Sequence, residues 1–213
     1  MGRGSGRSPY LLWQLSLCTM ARTIIIGDVH GCLDELSELL KKLKLASSDR
    51  VYFVGDLIAR GPKSKGVVGL ARKIGAISAR GNHEAKLLTV LAAANKNGKD
   101  LDLSVLGKMH REVAEQLDKA SWKWLSETPL WLDLPEHGLR IVHAGVHPYT
   151  PIEETSEDVI LRLRGLAANG TPSFARESDP WARVYWGPPH IVFGHHALPQ
   201  PQIYQWATGI DTG

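Results

Sequence analysis

Thr23-Ile24-Ile25-Ile26-Gly27-Asp28-Val29-His30-Gly31 is a β-branched apolar run that stops at a glycine and then presents a carboxylate and an imidazole. The run suits a strand, and Leu33, Leu36, Leu39, Leu40 and Leu43 follow it at helical spacing. The same grammar returns four times. Val51 to Val54 ends at Gly55-Asp56, and Ala76 to Ala79 ends at Arg80-Gly81-Asn82-His83-Glu84 and opens a helical stretch through about Ala94. Leu139 to Val142 ends at His143-Ala144-Gly145, and Ile191 to Phe193 ends at Gly194-His195-His196. Strands alternating with helical segments predict an α/β fold. Residues 95–128 read as mostly helical with a break near Asn97-Gly98, Ser156 as the cap of a helix to about Ala167, and 168–190 as a Gly-, Pro- and Ser-rich loop.

At 213 residues and 43% hydrophobic, the chain is expected to fold as one domain with a sizeable core. Its 21 Gly, 12 Pro and 2 Cys exclude a collagen-like repeat, long disorder and a disulfide scaffold. The net charge of +3 is carried by Arg3, Arg7 and Arg22, which have no acid beside them, so residues 23–213 are electrically balanced. The balance removes the argument for a nucleic-acid-binding body. Residues 1–21 read as a leader, disordered or non-native, ahead of a domain at 22–213, and Met20-Ala21-Arg22 offers a natural start. A secretory signal and a mitochondrial transit peptide remain the other readings of that leader. With no run of ~18 apolar residues, no membrane span is expected, and the cytoplasm is the expected location unless the leader is genuine.

The strand ends share a chemistry. Open α/β sheets bind ligands at the carboxyl ends of their strands, so residues far apart in sequence are expected to converge there. The pooled set is Asp28, His30, Asp56, Asn82, His143 and His195. Carboxylates with imidazoles suit Mn, Fe or Zn, whereas calcium would want mostly oxygen donors. Six ligands exceed the needs of one tetrahedral ion, but two ions ~3.5–4 Å apart would use them all, and such pairs clamp displacement at phosphorus.

Taken in order, Gly27-Asp28-x-His30-Gly31, Gly55-Asp56-x-x-x-Arg60-Gly61, Arg80-Gly81-Asn82-His83-Glu84, His143-Ala144-Gly145 and Gly194-His195 resemble the motifs of the calcineurin-like metallophosphoesterases. The resembling branch holds Ser/Thr protein phosphatases and diadenosine tetraphosphatases, and the likeness spans residues 22–213. It implies a β-sandwich flanked by helices with a dinuclear metal site at the strand ends. It further implies Asp28, His30 and Asp56 on one ion, and Asp56, Asn82, His143 and His195 on the other. By the same resemblance, His83 is the general acid and Arg60 and Arg80 clamp phosphate. The expected cofactor is two divalent ions, Mn first, with Fe or Zn as alternatives. His196, beside ligand His195, and Arg164, after the His143 motif, are further candidates for touching substrate.

One departure bears on substrate. The protein phosphatases of the branch carry Gly-Asp-x-x-Asp-Arg-Gly, whose second Asp orients the catalytic His; here that position is Ala59. The form Gly-Asp-Leu-Ile-Ala-Arg-Gly-Pro looks like the diadenosine tetraphosphatase type and its ApaH-like relatives, although Glu84 is shared with the protein phosphatases. The chain ends at Ile210-Asp211-Thr212-Gly213, where the family that it resembles normally continues into another turn and strand, so the expectation is either a missing C-terminal strand or a fragment of a longer sequence. The expected activity is a metal-dependent hydrolase of dinucleoside polyphosphate, capped RNA or polyphosphate, by attack of a metal-bridged hydroxide with His83 as acid. A Ser/Thr protein phosphatase and a noncatalytic phosphate-binding scaffold are the rival readings.

Overall fold

A computed structural model describes residues 21–213; the leader reading lies outside the described residues. Strands β1 (Thr23–Ile26), β2 (Arg50–Phe53) and β3 (Ile77–Ser78) form a parallel sheet in that spatial order, with α1 (Leu33–Lys42) and α2 (Ser64–Lys73) as its crossovers. Helices α3 (Asn82–Asn97), α4 (Lys108–Gln116) and α5 (Lys119–Ser126) then cover the same face. Gly98 at φ 60° ends α3 at the Asn97-Gly98 break that the sequence predicts, because glycine enters the left-handed region without a Cβ clash.

The second sheet is mixed. It holds β4 (Trp131–Leu134) antiparallel to β5 (Leu139–Val142), and α6 (Glu157–Arg162) follows on its outer face. Three two-residue strands, β6 (Gly165–Leu166), β7 (Pro172–Ser173) and β8 (Asp179–Pro180), make a small separate sheet. Strand β9 (His190–Phe193) lies parallel to β5, and the hairpin β10 (Gln202–Ile203) and β11 (Ala207–Gly209) completes the order β10-β11-β9-β5-β4. Strand β11 pairs parallel with β9 along Ala207 to Gly209.

Side-chain alternation stacks these layers, since successive residues of a strand face opposite sides. Ile24, Ile26, Val51 and Phe53 face the helices α1–α5, while Ile25, Tyr52 and Val54 face inward. From the other sheet Leu132, Leu134, Leu139, Ile141 and Val192 meet them, and Trp131, Val142, Ile191 and Phe193 point outward to α6 and Trp181. The result is a β-sandwich with helices on both outer faces, as the resemblance implies. Trp122, Leu125 and Trp124 pack within the helical layer rather than forming an exposed aromatic platform.

Two local expectations change, and one helix goes unread. The helix after Ser156 stops at Arg162, not Ala167, because Leu163 turns extended (ψ 131°) and Gly165-Leu166 pair with β7 and β8 instead. Residues 168–190 are not a plain loop: besides β7 and β8 they bury Trp181, 1% exposed, whose Nε1 donates to Ala144 O at 3.1 Å. Helix α2 carries no signal strong enough to be read in advance, since Gly66 and Gly69 lie within it. Among the described residues no helix is long and apolar enough to cross a membrane.

Trp181 fastens the loop carrying His143 to the second sheet. Replacing it with Ala is expected to destabilise the fold by about 3–5 kcal/mol in urea unfolding. Trp181→Phe, which keeps most of the volume but strips the donor from Ala144 O, is expected to lose about 1–2 kcal/mol. A loss below about 1 kcal/mol for Trp181→Ala would show that this ring does not anchor the loop.

Candidate metal centre

The loops that follow β1, β2, β3, β5 and β9 are laced together at one edge of the sandwich. Val29 N and His30 N donate to Asp56 O at 3.0 and 2.8 Å, Gly61 N donates to His30 O at 2.7 Å, and Gly194 N donates to His143 O at 2.7 Å. The Asp28 carboxylate spans the two sheets by accepting His195 N–H at 3.2 Å on each oxygen. Gly194 is required there, because a Cβ would run into Asp28 Oδ1.

These loops hold strained backbone. Six non-glycine residues of the described chain have positive φ, and five of them, His30, Asp56, Ala59, Arg60 and His195, lie in the motifs. A left-handed non-glycine residue costs about 1 kcal/mol or more, so the surrounding hydrogen bonds must over-determine each one. Glu84 supplies much of that constraint. Fully buried, it accepts Asp56 N and Gly81 N at 2.9 Å on Oε2 and Ile58 N at 3.1 Å on Oε1, tying the β2 loop to the start of α3.

Asp56, 1% exposed, stands at the centre. Its Oδ2 lies 3.7 Å from His30 Nε2, 3.4 Å from His143 Nε2 and 4.0 Å from His83 Nε2, and its Oδ1 accepts His83 N–H at 3.0 Å from the first turn of α3. Two donor clusters therefore share it: His30, Asp56 and His83, and Asp56, His143 and His195. Asp28 Oδ2 joins the first at 3.8 Å from His30 Nε2, and Asn82 Oδ1 joins the second at 3.0 Å from His143 Nε2. All six expected ligands converge, and the carboxylate expected to serve both ions is the group common to both clusters.

The donor set fits divalent cations. Burial pushes Asp28 up to about 8 and Glu84 up to about 7, the latter against its backbone donors. Burial acts on Asp56 likewise, but the charge and hydrogen bond of His143 outweigh it and hold this carboxyl below its usual range. His143 in turn is raised to about 9: burial opposes its charge, yet Asp56 prevails. Its ring explains this. Nδ1 faces Val54 O at 3.1 Å and Nε2 faces Asn82 Oδ1, both acceptors, so without a cation both nitrogens must carry hydrogen. Burial lowers His30 and His195, which stay neutral and free to ligate. Among the described residues no Lys or Arg pairs with Asp28 or Asp56, so His143, with a smaller contribution from His83, balances charge that a metal ion is suited to neutralise.

The remaining candidates divide. Arg60 is exposed, and among the described residues no carboxylate pairs with it. Arg80, expected as a second clamp, has its fork occupied: Nε and Nη2 donate to Thr128 O at 3.1 and 2.6 Å, and Nη1 lies 3.8 Å from Glu157. Among the described residues Arg164 Nη1 is buried without a partner, and the Arg164 charge, with that of Arg176, lowers His196 after burial. Three residues near the centre escape the sequence reading. His110 Nε2 lies 3.0 Å from His83 Nδ1. Buried Asp211 acts electrostatically on Asp28 and His30, and exposed Arg176 acts on Arg164. His110 and Arg176 sit at no glycine-flanked strand end, so no local pattern marks them, whereas Asp211 follows Gly209 at the end of β11, a strand of three residues too short to be read.

The protonation pattern has a sign that can be tested. Asp28, Glu84 and His143 all bind protons more tightly folded than unfolded, so the stability they give is present at low pH and lost as pH rises through their folded values. Metal-free protein is thus expected to lose thermal stability between pH 6.5, the ordinary histidine value, and about 9. Manganese(II), replacing the proton on His143, is expected to flatten that fall. A metal-free melting temperature that stays constant over this interval would overturn the assignment of balancing charge to His143.

Comparison with known proteins agrees with this geometry. Bis(5'-nucleosyl)-tetraphosphatase PrpE (asymmetrical) of Halalkalibacterium halodurans is 32% identical over 210 residues, covering 89% of this chain and 84% of the relative. A symmetrical bis(5'-nucleosyl)-tetraphosphatase of Shewanella baltica is 36% identical over 140 residues; these cover 64% of this chain and 48% of the relative, so the chain spans about half of that protein. A crystal structure described as that of a candidate diadenosine tetraphosphatase superposes with a TM-score of 0.77 at 32% identity, covering 89% of this chain and 82% of the other. Residues 21–209 match the profile of the calcineurin-like phosphoesterases, and with the ligand loops of both sheets converging on Asp56, the chain belongs to that family of metal-dependent hydrolases.

Proposed function

We propose that the chain hydrolyses a phosphoanhydride bond of a dinucleoside polyphosphate, using two divalent cations held by Asp28, His30, Asp56, Asn82, His143 and His195. The mixture of carboxylate, amide and imidazole donors favours manganese, with iron or zinc as alternatives. When bound, such a pair supplies a Lewis acid for the phosphoryl oxygens and a water of lowered pKa.

The chain's own groups do the rest. His83 faces the centre with Nε2, 4.0 Å from Asp56 Oδ2, where it is placed to protonate the departing oxygen. Burial pushes this ring down to about 4, with Asp56 opposing, so a polyanionic substrate matters: phosphate charge beside the imidazole favours its protonated form. Arg60, with its unpaired guanidinium, is the phosphate clamp, and Arg164 and His196 extend the basic wall. Arg80 holds Thr128 O instead, and we assign it no contact with substrate.

Ala59 carries the choice of substrate. It is fully buried and offers a methyl group, and the far nitrogen of His83 meets His110, not a carboxylate. A serine alkoxide is a poor leaving group that needs a strongly supported acid; a phosphate or nucleotide leaves with less proton donation. Capped RNA and polyphosphate share this anhydride chemistry. The retained ligand set argues against a noncatalytic scaffold.

With manganese present, kcat/KM for diadenosine tetraphosphate is expected to exceed that for a phosphoserine peptide by roughly tenfold or more, about 1.4 kcal/mol of transition-state preference. Capped RNA and polyphosphate in the same panel rank the anhydrides. A preference for the phosphopeptide would overturn this reading in favour of a protein phosphatase. His83→Ala is expected to retain both metals while kcat falls about 10²–10⁴-fold, less for p-nitrophenyl phosphate, whose leaving group needs little protonation. An equal loss on good and poor leaving groups would contradict the acid role.

A further inference from the structure

We infer that His110, on α4, is the positioning residue for His83, holding its ring so that Nε2 stays aimed at the centre; this rests on the reading of His83 as the acid. The first turn of α4 packs directly on the site loops. Its N-cap Gly107 leads into Met109, whose Sδ accepts Arg60 N–H at 3.4 Å, and into His110, whose Nε2 lies 3.0 Å from His83 Nδ1. The two imidazoles meet edge to edge in nearly parallel planes, with centroids 5.1 Å apart and planes 21° from parallel, as a hydrogen bond between ring nitrogens requires. On its other side His83 meets His30 edge to face, centroids 5.2 Å apart.

Those contacts leave one polar partner for the far nitrogen of His83. The residue is 9% exposed, and within the described residues His110 is the group that its Nδ1 meets. A half-turn about χ2 would swing Nε2 away from Asp56, and the Nδ1 hydrogen bond at 3.0 Å is the short polar contact that opposes it, beside the longer 4.0 Å approach of Nε2 to Asp56 Oδ2. The hydrogen bond that one ring nitrogen makes sets the role of the other. At 3.0 Å the two facing nitrogens share a single hydrogen. When His83 Nδ1 carries it, His110 Nε2 is the bare acceptor and His83 Nε2 can deliver its own proton to the leaving oxygen. His110 neither gains nor loses a proton in that step.

The test separates hydrogen bonding from packing. His110→Phe keeps an aromatic ring beside the edge of His83 but removes the acceptor, and His110→Gln restores a carbonyl acceptor without the ring. On diadenosine tetraphosphate, His110→Phe is expected to lower kcat roughly 10–100-fold with KM nearly unchanged, as misorientation of a reacting group does. The loss is expected to shrink on p-nitrophenyl phosphate. His110→Gln is expected to recover part of kcat, and His110→Phe to add nothing in a His83→Ala background, where the ring it positions is gone. If Phe sustains activity and Gln does not, His110 is a packing residue and the inference fails. If His83→Ala shows its leaving-group-dependent loss while both His110 variants match wild type, the positioning role alone is overturned and the acid reading stands. An absent leaving-group dependence in His83→Ala itself would overturn both. Should the Phe variant not fold, His110→Ala against His110→Gln makes the same comparison.

Discussion

A carboxylate buried to 1% exposure is tolerable only where opposite charge and hydrogen bonds surround it, and Asp56 is such a group. Its partners come from every side: the ring of His143 at the end of β5, the amide of His83 in the first turn of α3, and the rings of His30 and His83. Each lies on a different element, so the distances hold only if both sheets are fixed relative to each other. The inward residues Tyr52, Val54, Ile141 and Val192 supply that fixation, because close-packed apolar side chains resist small displacements. Core and site are thus one mechanical problem.

Glu84 shows how the solution is built. Among the described residues it makes no hydrogen bond to the expected ligands' side chains, yet it receives the backbone N–H groups of Asp56, Ile58 and Gly81 and so shapes the loop that aims Asp56. Gly55 at φ 108° and the left-handed Asp56 turn the chain sharply after β2, and Gly81 leaves room where a Cβ would strike Asp56. This role serves the metal site rather than a substrate. A glutamate at this position is therefore compatible with phosphoanhydride and phosphoprotein chemistry alike.

The arginines make a parallel point about function. Arg60 and Arg80 both flank ligand motifs and read identically as phosphate clamps. Thr128 O lies within 2.6 Å of Arg80 and takes its fork, whereas Arg60 follows a left-handed turn that leaves its guanidinium in solvent. A bidentate donor already bonded to a carbonyl has little to offer a substrate, and its removal would expose a buried acceptor.

The sequence alone determined the α/β class, the five strand ends and the six side chains that converge there, because each is marked locally: a short apolar run, a glycine, then a chemically active side chain. Periodicity and turn chemistry act over a few residues, so they can be read without coordinates. Helix α2 was hidden by Gly66 and Gly69, and the end of α6 by competition from β7 and β8, whose pairing depends on residues remote in sequence. Only the tertiary structure decided that Arg80 donates to Thr128 O, that Trp181 bonds Ala144 in the His143 loop and that His110 meets His83 across 27 positions. Those contacts depend on which helix packs over which loop, a consequence of burying shared apolar faces, and no local pattern encodes the partner on the other side.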